Sequence, residues 1–112
     1  MRVLALVSVL LGLSATCQAQ TQSQLEARYV AACQKEDTEA FCRCEFKAMA
    51  ALVKDPKDLE YLTDLEERTA GLPDEETDKI MKSLPPERIQ WIVSLLQNIA
   101  SAQEQCPDFR KR

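Results

Sequence analysis

Three cysteines fall within one short stretch, C-Q-K-E-D-T-E-A-F-C-R-C, at Cys33, Cys42 and Cys44, and a fourth, Cys106, stands near the end of the chain. Thiols at this spacing could do three things. Each could bridge to a cysteine elsewhere. Cys42-Arg43-Cys44 could be a redox dithiol, with the Arg43 guanidinium lowering a thiolate pKa. The pair could also offer soft sulfur to Cu(I), with Met49 nearby in sequence. Helix geometry separates these readings, because residues two apart on a helix point about 200° away from each other. A Cys42–Cys44 bridge or a shared metal is disfavoured, and structural bridging is expected.

Four cysteines allow three pairings. Discarding Cys42–Cys44 also discards its complement, Cys33–Cys106. Cys33 lies near the end of a first helix, so in an antiparallel hairpin it should face a residue a similar distance past the turn. From a cap at Thr38, Cys42 lies about 6 Å along the second helix and Cys44 about 9 Å. Cys33–Cys42 with Cys44–Cys106 is therefore preferred. Cys33–Cys44 with Cys42–Cys106 is the alternative if the turn begins earlier.

Glu45 falls among apolar neighbours, Phe41, Phe46 and Met49. It reads either as a partly exposed glutamate paired with an Arg or Lys, or as a buried acid with a raised pKa. The first reading is preferred. Glu66-Glu67 reads as an exposed helix face. Asp74-Glu75-Glu76-Thr77-Asp78 reads as a solvated helix start, since it lacks the central glycine and alternate spacing of a calcium loop. The chain has no histidine. That removes Ser-His-Asp and Cys-His nucleophile systems, His-ligated zinc and C-x-x-C-H haem attachment. No glycine-rich loop is present to cradle a phosphate. A non-enzymatic protein with no cofactor and no metal is expected.

The elements that hold these residues are helical. Ser23-Gln24-Leu25-Glu26 reads as a capping box opening a helix over 24–34, with Leu25, Tyr29, Ala32 and Cys33 on one side. Asp37 or Thr38 caps a second helix over 39–54. Asp55-Pro56 opens a third, carrying Leu59, Leu62 and Leu65, which Gly71 closes as a left-handed cap. A short fourth helix over 73–83 buries Ile80 and Met81, with Leu84 beyond its end. Pro85-Pro86 opens the last, over 86–105. Its row of Ile89, Ile92, Val93, Leu96, Ile99 and Ala100 is the most apolar, which predicts that this helix is central. No alternating run suggests a strand. The fold class expected is all-α, about five helices in a small compact bundle stapled by two disulfides.

Compartment follows from the first residues. Arg2 and the apolar run 3–15 read as a secretory signal peptide, too short to span a bilayer, with Cys17-Gln18-Ala19 as the cleavage site. A retained anchor and lipidation at Cys17 are the alternatives. The expected organisation is a signal peptide over 1–19, one stapled domain over 20–107 and a basic tail over 108–112. Cleavage would leave 93 of the 112 residues, four of the five cysteines, and 13 of the 14 basic residues against 18 acidic ones, a net charge of −5. So small a chain is marginal for its own core, and two bridges offset that. The charge argues against nucleic acid and anionic membranes as partners. The pattern Cys-x8-Cys-x-Cys with a distant fourth cysteine resembles that of small exported helical proteins of bacteria, which implies compartment and little else.

The leading functional expectation is a non-catalytic binding or assembly module of the periplasm or extracellular space. It would bind another protein through an apolar helical groove, with Phe41, Phe46, Met49, Leu52, Ile89, Ile92, Val93, Leu96 and Ile99 as the residues of the apolar core or groove. It would have no membrane span after signal cleavage. The alternative is a thiol redox or copper-handling protein using Cys42 and Cys44.

Overall fold

The computed structural model describes residues 20–104 and residue 106. The signal peptide read at 1–19, with Cys17, and the basic tail at 108–112 lie outside the described residues. Among these residues the chain forms five helices and no strand: α1 Gln22–Cys33, α2 Glu39–Leu52, α3 Pro56–Thr69, α4 Asp74–Lys82 and α5 Pro86–Gln103. The expected all-α fold is therefore what the chain adopts.

Each boundary has a local cause. The capping box of α1 sits two residues earlier than expected. Thr21 Oγ1 accepts from the Gln24 amide at 3.2 Å, and Gln24 Oε1 accepts from the Thr21 amide at 2.9 Å. Glutamine three residues on serves as well as glutamate in this motif, so T-x-x-Q competes with S-x-x-E. Thr38 caps α2 by accepting from the Phe41 amide at 3.2 Å. Asp55 caps α3 through the Lys57 amide at 2.9 Å, with Pro56 in the first turn, where its missing N–H costs nothing. Gly71 has φ +80° and turns the chain after α3. Its amide donates to Glu36 at 3.2 Å, and the left-handed φ, which glycine adopts without strain, is what favours glycine there.

Helix α1 packs against both α2 and α3, α5 packs against α2, and α4 leans on α3. The least exposed side chains, Leu25, Cys33, Cys42, Phe46 and Thr63, all belong to α1–α3. Tyr29 and Phe46 meet between α1 and α2 with ring centroids 5.6 Å apart. The centre of the domain is thus the α1–α2 hairpin with α3, and the expectation that α5 is central is corrected. The reason lies in the width of its apolar arc. Ile92, Leu95 and Ile99 form a buried row, while Ile89, Val93, Leu96 and Ala100 form a second row about 100° away. One neighbour cannot cover both, so the second row faces outward. Helix α4 has no fully buried residue, and Ile80, Met81 and Leu84 are half-buried against the core rather than inside it.

Two disulfides staple these elements. Cys33–Cys42 joins the end of α1 to the first turn of α2, and Cys44–Cys106 joins α2 to the chain just past α5. The Cα–Cα distance is 5.8 Å in both. This is the preferred pairing from the helix-turn geometry. Surface ion pairs add smaller ties. Arg28 on α1 reaches Asp64 and Glu67 on α3 at 2.5 Å each, and Arg88 on α5 reaches Asp58 on α3 at 3.0 Å. Arg88 also lies over the Tyr61 and Trp91 rings, 4.4 and 5.0 Å from their centroids.

Candidate functional site

The Cys42-Arg43-Cys44 motif divides at the helix surface. Cys42 is fully buried and bridges inward to Cys33, while Cys44 bridges to Cys106. Arg43 points elsewhere, onto Glu39 at 2.7 Å and Glu26 at 3.2 Å. Met49 is buried one and a half turns further on, in the wall of a cavity. Cys42 and Met49, seven residues apart, lie on the same side of α2 and Cys44 points away from both, so the three sulfur atoms share no common face. No group of three or more His, Cys, Asp or Glu among the described residues is placed to hold a metal ion.

The feature with chemistry is that cavity. It has a volume of about 250 Å³, lies between α2, α3 and α5, and is half open to solvent. Its apolar wall is Met49 from α2, Leu62 and Leu65 from α3, Met81 from α4, and Ile92, Leu95, Leu96 and Ile99 from α5. Its polar wall is Tyr29, Glu45, Glu66, Thr69 and Gln103.

Glu45 is held on both oxygens. The Tyr29 hydroxyl donates to Oε1, and the Gln103 side-chain amide donates to Oε2. Glu45 is half-buried, in keeping with a partly exposed glutamate, but no lysine or arginine among the described residues pairs with it, so the expected basic partner is corrected to Tyr29 and Gln103, and the raised pKa is that of the other reading. Burial raises its pKa first. The Tyr29 hydrogen bond opposes that, Asp37 adds to the rise, and the Gln103 bond opposes it. Burial and the Glu45 charge also push the Tyr29 hydroxyl upward, so it stays protonated and donating.

Glu66 is the surprise. The pair Glu66-Glu67 was expected on an exposed face, and only Glu67 is there, bound to Arg28, which lowers its pKa. Glu66 is half-buried in the cavity wall. Its pKa is raised to about 7, by burial first and then by the charges of Glu45, Glu36 and Asp37. The signal was present in the sequence. At 100° per residue Glu66 falls about 20° from Leu59 and about 40° from Leu62, in the middle of the buried arc of α3.

Of the residues expected in the apolar core or groove, the cavity gathers Met49, Ile92, Leu96 and Ile99. Phe41 and Phe46 lie in the buried core, which the expectation of core or groove includes, and Ile89 is half-buried outside the wall. Leu52, Val93 and Leu96 are 45 %, 49 % and 56 % exposed. They are surface, not core, although Leu96 also touches the cavity. Residues missing from the expectation were Tyr29, Leu62, Leu65, Glu66, Leu95 and Gln103. Chemically, the wall can take up a proton near neutral pH and attract a cation. It offers little to orient a reacting substrate, because the Thr69 hydroxyl is spent on the Leu65 carbonyl at 2.9 Å.

No family model matches the chain, and no curated protein and no solved structure matches it. What the fold and the cavity define is a class: a small all-α domain with two staples and an acid-walled apolar recess. Its two disulfides are compatible with an oxidising, exported environment. No helix among the described residues is long and apolar enough to cross a membrane.

Proposed function

We propose that this chain is an exported, non-catalytic binding module that captures part of another protein in its α2–α3–α5 cavity. The observation that carries the reading is the cavity itself, about 250 Å³ with eight aliphatic or thioether side chains in a half-open wall. A recess of this kind is where apolar anchors of a partner are received. The outward row of α5, Val93 and Leu96, extends the same apolar surface beyond its mouth. A disulfide-stapled scaffold suits the role, since it keeps the recess preformed and lowers the ordering cost of binding.

The thiol redox or copper reading gains no support, because Cys42 and Cys44 are bridged to different partners on different sides of α2. The test is a native pull-down from the exported fraction with the wild type and with Leu96→Lys. Leu96 is half-exposed at the cavity, so the charge should leave the fold intact, which an unchanged melting curve would verify. A partner retained by the wild type and lost by the variant is the expected result. Retention by both, or no partner with either, would sink the proposal.

A further inference from the structure

Charge and size together narrow what the cavity accepts. Glu45 and Glu66 face it from α2 and α3, and neither makes an ion pair among the described residues. Arg28, Arg43, Lys79 and Arg88 are bound to other acids. The remaining elements supply no cation. Residues 89–103 of α5 carry no charge, and Tyr29 is the only titratable group that α1 places in the wall. Glu36 and Asp37, in the α1–α2 turn, add charge of the same sign nearby. The cavity is thus an apolar recess with two carboxylates that have no counter-charge among the described residues. A hydrated ion gains little from its aliphatic side, and a neutral apolar group leaves the carboxylates desolvated and unpaired. A group that is apolar at one end and cationic at the other satisfies both. The volume lies below the roughly 300–1,000 Å³ typical of pockets for drug-sized molecules. It fits one or two anchoring side chains of a docked helix.

We propose that the cavity receives a basic apolar segment of a partner protein: an aliphatic side chain fills the recess, and a lysine or arginine about one helical turn away reaches Glu45 and Glu66. This rests on the binding function proposed above. Because Glu45 already holds Tyr29 and Gln103, Glu66 is the freer counter-charge and gives the cleaner variant.

The experiment uses three synthetic amphipathic helices of about 14 residues with one leucine row and Lys, Gln or Glu beside it. Binding to the disulfide-intact chain is read by calorimetry or anisotropy. The Lys peptide should bind most tightly and the Glu peptide not at all. Glu66→Gln should weaken the Lys peptide by roughly fivefold to tenfold. It should leave the Gln peptide unchanged. Glu75→Gln, an exposed acid on α4, removes the same charge and should change neither. The Lys advantage should grow as pH rises through about 7, where Glu66 ionises. Equal affinity for Lys and Gln peptides would overturn the charge pairing while leaving the docking reading intact. Binding of no peptide would overturn both. A loss in Glu75→Gln equal to that in Glu66→Gln would reduce the effect to general attraction by an acidic chain and overturn the site. Octylammonium binding without any peptide binding would replace the protein partner with a small amphiphile. Binding seen only after residues 108–112 are removed would make the chain's own basic end the occupant, and would overturn the proposal too.

Discussion

Glu66→Gln should make the protein more stable at alkaline pH and no more stable at acid pH. In the folded chain the Glu66 pKa is raised from the ordinary 4.5 to about 7. A carboxyl with a raised folded pKa binds its proton in the native state over a window where the unfolded chain has released it. Its contribution is greatest below about 4.5 and is lost as pH rises to about 7. At about 1.36 kcal/mol per unit of pKa the whole displacement would correspond to roughly 3 kcal/mol. Glu66 is only half-buried, so solvent screens part of that, and about 1–2 kcal/mol is the expected size. Glutamine keeps the shape and never ionises. The variant and the wild type should therefore unfold alike near pH 4, and the variant should gain about 1–2 kcal/mol by pH 8. For a domain of this size that is a melting temperature higher by roughly 5–10 °C. Urea unfolding followed by helical circular dichroism across that pH range would read it, with the carboxylates not coupled to Glu66 cancelling in the difference. A gap independent of pH would mean that packing, not charge, separates the two side chains. No gap at pH 8 would mean that Glu66 is solvated, and the cavity wall as described would be wrong.

Other perturbations probe the rest of the framework. Phe46→Ala empties the centre of the α1–α2 hairpin and should cost about 3–5 kcal/mol. Leu96→Ala, on the exposed row of α5, should cost less than about 1 kcal/mol, and denaturant midpoints would rank the two. Removing the Cys44–Cys106 bridge by double alanine substitution opens a loop of 62 residues and should cost about 4 kcal/mol. Removing Cys33–Cys42, which closes only 9, should cost about 2.5 kcal/mol, plus any cavity left in the core. Tyr29→Phe deletes the donor to Glu45 and should raise the Glu45 pKa further, visible in a carbon-detected NMR titration of the side-chain carboxyl. An unmoved Glu45 titration would remove Tyr29 from the network.

Periodicity and chain-breaking residues made the helices legible. Thr38, Asp55-Pro56, Gly71 and Pro85-Pro86 act through local chemistry, and local chemistry can be read along a chain. The disulfide pairing was legible for the same reason, because a short turn between two helices leaves few registers. Which helix is central was not legible. Hydrophobicity ranked α5 first, but centrality depends on how many neighbours an element has. The α1–α2 bridge and the Tyr29–Phe46 contact gave that place to the hairpin. The split of the α5 row was hidden similarly, since Leu95 and Leu96 differ by one helical step and only a neighbour decides which is covered. Glu66 was different. Its place in the buried arc was computable, and the expectation of an exposed pair came from reading Glu66 and Glu67 as one unit, although adjacent helix positions face directions about 100° apart.

The staples and the acid wall depend on the same residues. Cys44 immediately precedes Glu45, and Cys106 follows Gln103 by three residues, so the Cys44–Cys106 bridge ties together the two segments whose side chains meet at the Glu45–Gln103 hydrogen bond. Cys33–Cys42 likewise fixes the hairpin that brings the Tyr29 hydroxyl to the same carboxylate. Held by a donor from α1 and another from α5, Glu45 is fixed at the recess, and its charge when ionised raises the pKa of Glu66. The covalent framework thus sets both the shape of the cavity and its charge, and a chain with either bridge open should lose the two together.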